Sequence, residues 1–123
     1  MKANEVSGQV VDAAMKVHTA LGPGLLESAY EACLAHELQK RGLTVERQKE
    51  LAIEYDGIVI EAGYRLDLLV NDQVIVELKA VSEVLPIHHA QIISYLKLGQ
   101  KPVGLLINFH VERLKDGIKR FAN

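Results

Sequence analysis

The stretch 65-RLDLLVNDQVIVELKA-80 holds two runs of Leu, Val and Ile around a polar Asn71-Asp72-Gln73 break, the pattern of a β-hairpin. Asp67, Glu77 and Lys79 interrupt those runs. Burying an unpaired charge is expensive, so their position inside apolar strands needs a cause. Strand residues alternate between faces. Val74, Val76, Leu78 and Ala80 therefore point one way, and Ile75, Glu77 and Lys79 the other. On the preceding strand Arg65, Asp67 and Leu69 share a face. Loop length decides whether the acids meet. A two-residue loop at Asn71-Asp72 sets Asp67 opposite Val76 and separates the acids. A three-residue loop that includes Gln73, or a one-residue bulge, sets Asp67 opposite Glu77 and Arg65 opposite Lys79. Asn and Asp tolerate the left-handed backbone such a loop needs. The sequence permits this register without forcing it.

Two carboxylates that face each other across a strand pair repel unless a proton or a cation lies between them. Lys79 and Arg65 can supply the cation as a structural ion-pair cluster. A hard divalent ion can supply it instead, because Mg²⁺ is held by one or two carboxylates plus water. The hairpin alone does not choose between them.

Outward from the hairpin, Val6, Val10, Ala13, Val17 and Leu21 recur at helical spacing and predict a helix over 4–21, stopped by Gly22-Pro23. A second helix is expected over 25–41, closed by Gly42. The period then changes, and Asp56-Gly57 marks a tight turn. Strands are expected at 43–49, 51–55, 58–62, 64–70 and 73–80. Pro86 suits the first turn of a helix running to Leu98. "KPVGLLINF" reads as a buried strand and "GIKRFAN" as a last short one. The expected architecture is α/β with mixed α+β character: one domain over 1–123, with a central mixed sheet flanked by helices.

Composition narrows the function classes. A 123-residue chain that is 49 % hydrophobic can bury one core. Its formal net charge of −2 does not announce a nucleic-acid binder. The basic residues Lys97, Lys101, Arg113, Lys115, Lys119 and Arg120 gather at the C-terminal end. They read equally as a phosphate-facing patch or as a solvated segment. Cys33 stands alone, and no Cys/His spacing suggests zinc. The N-terminal residues lack the apolar core of a signal peptide, and no run approaches a membrane span, so a cytoplasmic protein without membrane attachment is expected.

Two further segments bear on the charged face. On the second helix Tyr30, Leu34 and Leu38 form an apolar stripe, and Glu27 lies on it. A first-turn acid also favours the helix dipole from the rim, which is the simpler explanation for Glu27. After Pro86, residues His88, Gln91 and Tyr95 share a face at steps of three and four. One arrangement accounts for all of these: Glu27, Asp67 and Glu77 around a metal, Lys79 beside it, Gln91 and Tyr95 at the edge.

This order of Glu, Asp, Glu-x-Lys and Gln-x-x-x-Tyr resembles the PD-(D/E)XK nuclease superfamily, in particular its RecB-type exonuclease branch. The segment Gly24-Leu25-Leu26-Glu27-Ser28-Ala29-Tyr30 is similar to the signature of the GxxExxY proteins classed within it. The resemblance runs from Val10 to Asn123. It departs from the superfamily pattern at Leu66, which stands where the proline of "PD" would be. The resemblance implies a restriction-endonuclease-like fold and Mg²⁺- or Mn²⁺-dependent, backbone-directed hydrolysis of nucleic acid, DNA before RNA. It implies Asp67, Glu77 and Glu27 as metal ligands and Lys79 as the residue that orients water. Gln91, Tyr95 and Arg65 would position the substrate. The competing expectation is a catalytically inactive subunit of the same fold that binds a protein or nucleic-acid partner. A small chain without a basic surface is also expected to pair with a second copy. Converging carboxylates should leave at least one of the acids with a raised pKa.

Overall fold

The computed structural model describes residues 1–123. Its elements are α1 (Ala3–Leu21), α2 (Glu27–Lys40), β1 (Val45–Tyr55), β2 (Ile58–Val70), β3 (Val74–Lys79), α3 (Pro86–Gly99), β4 (Val103–Asn108) and β5 (Ile118–Ala122), with a 3₁₀ turn at Leu114–Gly117 before β5. The strands form one sheet in sequence order. All neighbours are antiparallel except β3 and β4, which run parallel because α3 carries the chain back between them. The mixed sheet flanked by helices is the expected fold.

Two cores follow from strand alternation. Val74, Val76 and Leu78 of β3 and Val103, Leu105 and Ile107 of β4 pack with Val10, Ala14, Leu34 and Leu38 of α1 and α2. On the opposite face Ile75 packs with Tyr95 and Leu96 of α3. The α1–α2 connection is held by Tyr30. Its ring stacks on Phe109 at 4.4 Å, its hydroxyl donates to the Gly22 carbonyl, and that hydroxyl accepts the Leu25 N–H.

The loop after β2 combines both turn geometries weighed from the sequence. Asn71 and Asp72 take positive φ angles of 51° and 56°, and Gln73 N–H donates to the Val70 carbonyl, which is a two-residue I′-like turn. Gln73 is then one extra residue, so Val70 pairs with Val74, Leu69 with Ile75 and Leu68 with Val76. This is the register that directs Asp67 toward Glu77. The expected breaks within 43–55 and 58–70 are not chain breaks. β1 and β2 each run through, and a shift of register between Leu51 and Ile53 absorbs the irregularity at Gly63, whose φ is 77°.

Gly104 fixes how closely α3 lies on the sheet. A Cβ there would come within 3.1–3.2 Å of the fully buried Ile92 and Leu96 side chains. Gly104→Val should lower unfolding stability by about 1–3 kcal/mol through overpacking, read as a reduced midpoint in urea with an unchanged m-value. Tyr30→Phe removes one donor and one acceptor from the α1–α2 connection and should cost about 1–2 kcal/mol in the same measurement.

Candidate active site at a strand fork

The β2–β3 ladder stops at Leu68/Val76, and the next rung is built from side chains. The Asp67 backbone N–H donates to Glu77 Oε2 at 2.8 Å. The Leu78 N–H donates to Asp67 Oδ2, also at 2.8 Å. Each acid thus caps the backbone of the other strand, and the strands diverge around the pair. The remaining oxygens are lightly used: Asp67 Oδ1 receives a long 3.4 Å contact from Gln48 Nε2.

The fork coincides with a change of face. Leu68 and Val70 enter the core under α1 and α2, while Leu66 enters the core under α3. Strict alternation would put Leu66 with Leu68. In β1 the same switch occurs at Gln48, whose φ of 52° is unusual for a non-glycine residue inside a strand. Asp67 and Gln48 are the facing residues at this level, and neither joins the otherwise regular pairing of Arg47 with Leu68 and Lys49 with Leu66.

Asp67 consequently lines a cleft of about 360 Å³ with Glu27, Ser28, Glu31, Gln48 and Leu78. Glu27 is the first residue of α2 and stands exposed on its rim. Glu77 is nearly buried, in the electrostatic reach of Tyr95 on α3. The Gln91 amide lies close enough to the Tyr95 hydroxyl to influence its ionisation, so the expected Gln-x-x-x-Tyr pair stands together on the Glu77 side. His88 is turned elsewhere: its Nδ1 accepts the Leu85 N–H at the start of α3. Lys79 lies near enough to favour the ionised form of both acids yet forms no ion pair within 4 Å with either. Arg65 is half-exposed and makes a loose 3.9 Å contact with Glu50. No three His, Cys, Asp or Glu side chains converge closely enough to share an ion; Asp67 and Glu77 approach as a pair, with Glu27 apart from them.

Glu31 is a functional candidate the sequence reading missed. It is buried on α2, accepts Gln48 Nε2 at 2.6 Å, and is ion-paired with Arg47 at 3.1 Å. Its charge raises the pKa of Asp67. The signal was its place one turn after Glu27, at a step of four on the same helix face. Of the C-terminal basic residues, Lys101 pairs with Asp72, Arg120 binds Asn4, and Lys119 stands over the Phe121 ring.

Electrostatics single out the acid pair. Burial, and then the charge of Asp67, push the Glu77 carboxyl up to about 8. Burial likewise raises Asp67, partly offset by the Leu78 N–H. Mg²⁺ is a hard ion that accepts one or two carboxylates and completes its shell with water. Two adjacent carboxylates that are short of positive charge, each with an oxygen to spare, fit that donor requirement. A carboxyl whose folded pKa exceeds its unfolded value contributes stability that is present below the ordinary 4.5 and lost as pH rises through about 8. Without divalent ions, wild-type stability measured relative to Glu77→Gln should therefore fall across pH 4.5 to 8. Paired urea titrations along that range are the check, and a flat difference would contradict the assignment.

Comparison with protein-family models matches residues 4–121 to the PD-(D/E)XK nuclease superfamily. Neither a curated relative nor a solved structure matches the chain. Nucleases of this superfamily generally use divalent metals, in keeping with an acid pair short of positive charge. With nearly the whole chain covered, and acids from two diverging strands meeting beside a lysine, this protein belongs to the PD-(D/E)XK nuclease superfamily.

Proposed function

We propose that the chain is a cytoplasmic phosphodiesterase of nucleic acid that works with Mg²⁺ or Mn²⁺, of the GxxExxY type and near the RecB-type exonuclease branch. The observation that carries this reading is the reciprocal capping of β2 and β3 by Asp67 and Glu77, which holds two carboxylates together with no basic side chain closed upon them. A salt-bridge cluster would draw Lys79 onto the acids; here it stands off, free to act on something placed between them.

Asp67 and Glu77 would hold the ion, and Glu27 would reach in from the cleft rim as a further ligand or base. When bound there, the ion supplies Lewis acidity toward a phosphate oxygen and makes nearby water more acidic. Lys79 would orient the attacking water and stabilise the charge that grows on the phosphoryl oxygens. Gln91 and Tyr95 would hold the strand at the Glu77 side, and Arg65 an adjacent phosphate. None of these groups reads base edges, so recognition is of the backbone. DNA is placed ahead of RNA as substrate, and a second copy of the chain would enlarge the binding surface; a monomer by light scattering at every concentration would remove the latter.

Melting curves and hydrolysis assays over single-stranded, duplex and branched substrates test the reading. Mn²⁺ should raise the melting temperature of wild type by mass action. Glu77→Gln should keep an acceptor for the Asp67 N–H and be at least as stable without metal, but lose most of the Mn²⁺ shift and all hydrolysis. Lys79→Met should keep the shift and lose at least about 100-fold in rate. A wild type unmoved by Mn²⁺, with Glu77→Gln strongly destabilised, would leave the charged face as structural.

A further inference from the structure

Beside the fork, and outside every role given above except that of Arg65, lies a second cleft. It occupies about 510 Å³ on the β1–β2 hairpin and is lined by Lys49, Glu50, Leu51, Ala52, Glu61, Gly63, Tyr64 and Arg65. We propose that this cleft is a subsite for one nucleotide of a single strand, with Tyr64 stacking the base and Lys49, on the same face of the hairpin, receiving its phosphate. The proposal rests on the nuclease reading and adds a strand preference to it.

Three observations support it. The first is the presentation of Tyr64. Gly63 takes a left-handed φ of 77°, which turns the strand just before Tyr64 where the register with β1 shifts. Tyr64 is left 41 % exposed. An exposed aromatic held by a rigid strand is a stacking platform that accepts any base.

The second is location. The Tyr64 ring lies 6.1 Å from that of Tyr95, the α3 residue beside Glu77. On the strands themselves, Lys49 pairs with Leu66, one rung from the Gln48–Asp67 contact. A nucleotide in the cleft would thus neighbour a phosphate at the acid pair.

The third is charge. Lys49 keeps about half of its side chain exposed, at 47 %. Its partner Glu46 is itself solvated, at 49 %. Such a pair is weak, and a phosphate competes well for the lysine. Stacking on Tyr64 requires an unpaired base, whereas in a duplex the bases are stacked on one another. The geometry therefore selects single strands or frayed ends.

The test measures binding apart from cleavage. A short single strand carrying one 2-aminopurine, and the duplex formed from it, are titrated with protein in EDTA at low salt. The proteins are wild type, Tyr64→Phe and Tyr64→Ala, each first shown to be folded by its melting curve. Wild type should quench the 2-aminopurine of the single strand. Tyr64→Phe should do the same, and Tyr64→Ala should lose the quenching and bind roughly 5- to 100-fold more weakly. Duplex affinity should change by less than about 2-fold, the stacking contact being absent there. Unchanged single-strand binding in Tyr64→Ala, an equal loss on duplex, or no binding by wild type would overturn the subsite. The nuclease reading fails separately, if wild type with Mn²⁺ cleaves none of the substrates.

Discussion

Two hydrogen bonds of 2.8 Å, each between a carboxylate and a backbone N–H of the opposing strand, organise this molecule. They stand where a regular hairpin would continue its ladder, and they let β2 leave β3 without orphaning the amides at the point of divergence. The cost is two anionic groups side by side in a poorly solvated place, where charge interactions are strong and repulsion is little screened. Glu77 registers that cost most directly, since burial and the neighbouring charge push its carboxyl up to about 8.

The surrounding elements are arranged with respect to that pair. α2 brings Glu31, whose charge is matched by Arg47 and tied through the Gln48 amide to Asp67. α3 covers the other side with Tyr95 and Gln91. The change of face at Gln48 and Asp67 lets one hairpin serve both layers. Its base packs under α1 and α2, and its middle, through Leu51 and Leu66, packs under α3. Beyond Leu51 the hairpin has no further layer to bury, which is why Tyr55, Ile58 and Val59 remain exposed.

The fold was readable because apolar spacing and turn residues agree with it along most of the chain. The helices and the Asp56-Gly57 turn follow from period and breakers, and β3, β4 and β5 from short apolar runs. The register of Asp67 is not decided by the sequence. It turns on Gln73, a residue with no loop preference, becoming the one extra residue after a left-handed Asn71-Asp72 pair. The expected break at Glu50 falls on a regularly paired residue, and the one near Gly63 falls on an irregularity that the hairpin accommodates by shifting register between Leu51 and Ile53. Glu31 and Gln48 stayed hidden for different reasons. Glu31 reads as an ordinary polar helix position beside Tyr30. Gln48 takes a left-handed backbone that nothing in its side chain announces; only its partners on α2 and β2 hold it there.

A site built on loops can exchange its acids with little effect on the scaffold. Here the acids are rungs of the sheet, and this limits how the protein can diverge. Positions 67 and 77 accept only residues that present an oxygen acceptor at the same height, because anything shorter or apolar strands a backbone N–H. A lineage that abandoned the chemistry would be expected to drift through Asn and Gln at these positions rather than through Ala or Leu. Its descendants would keep the shape of the fork long after losing its charge.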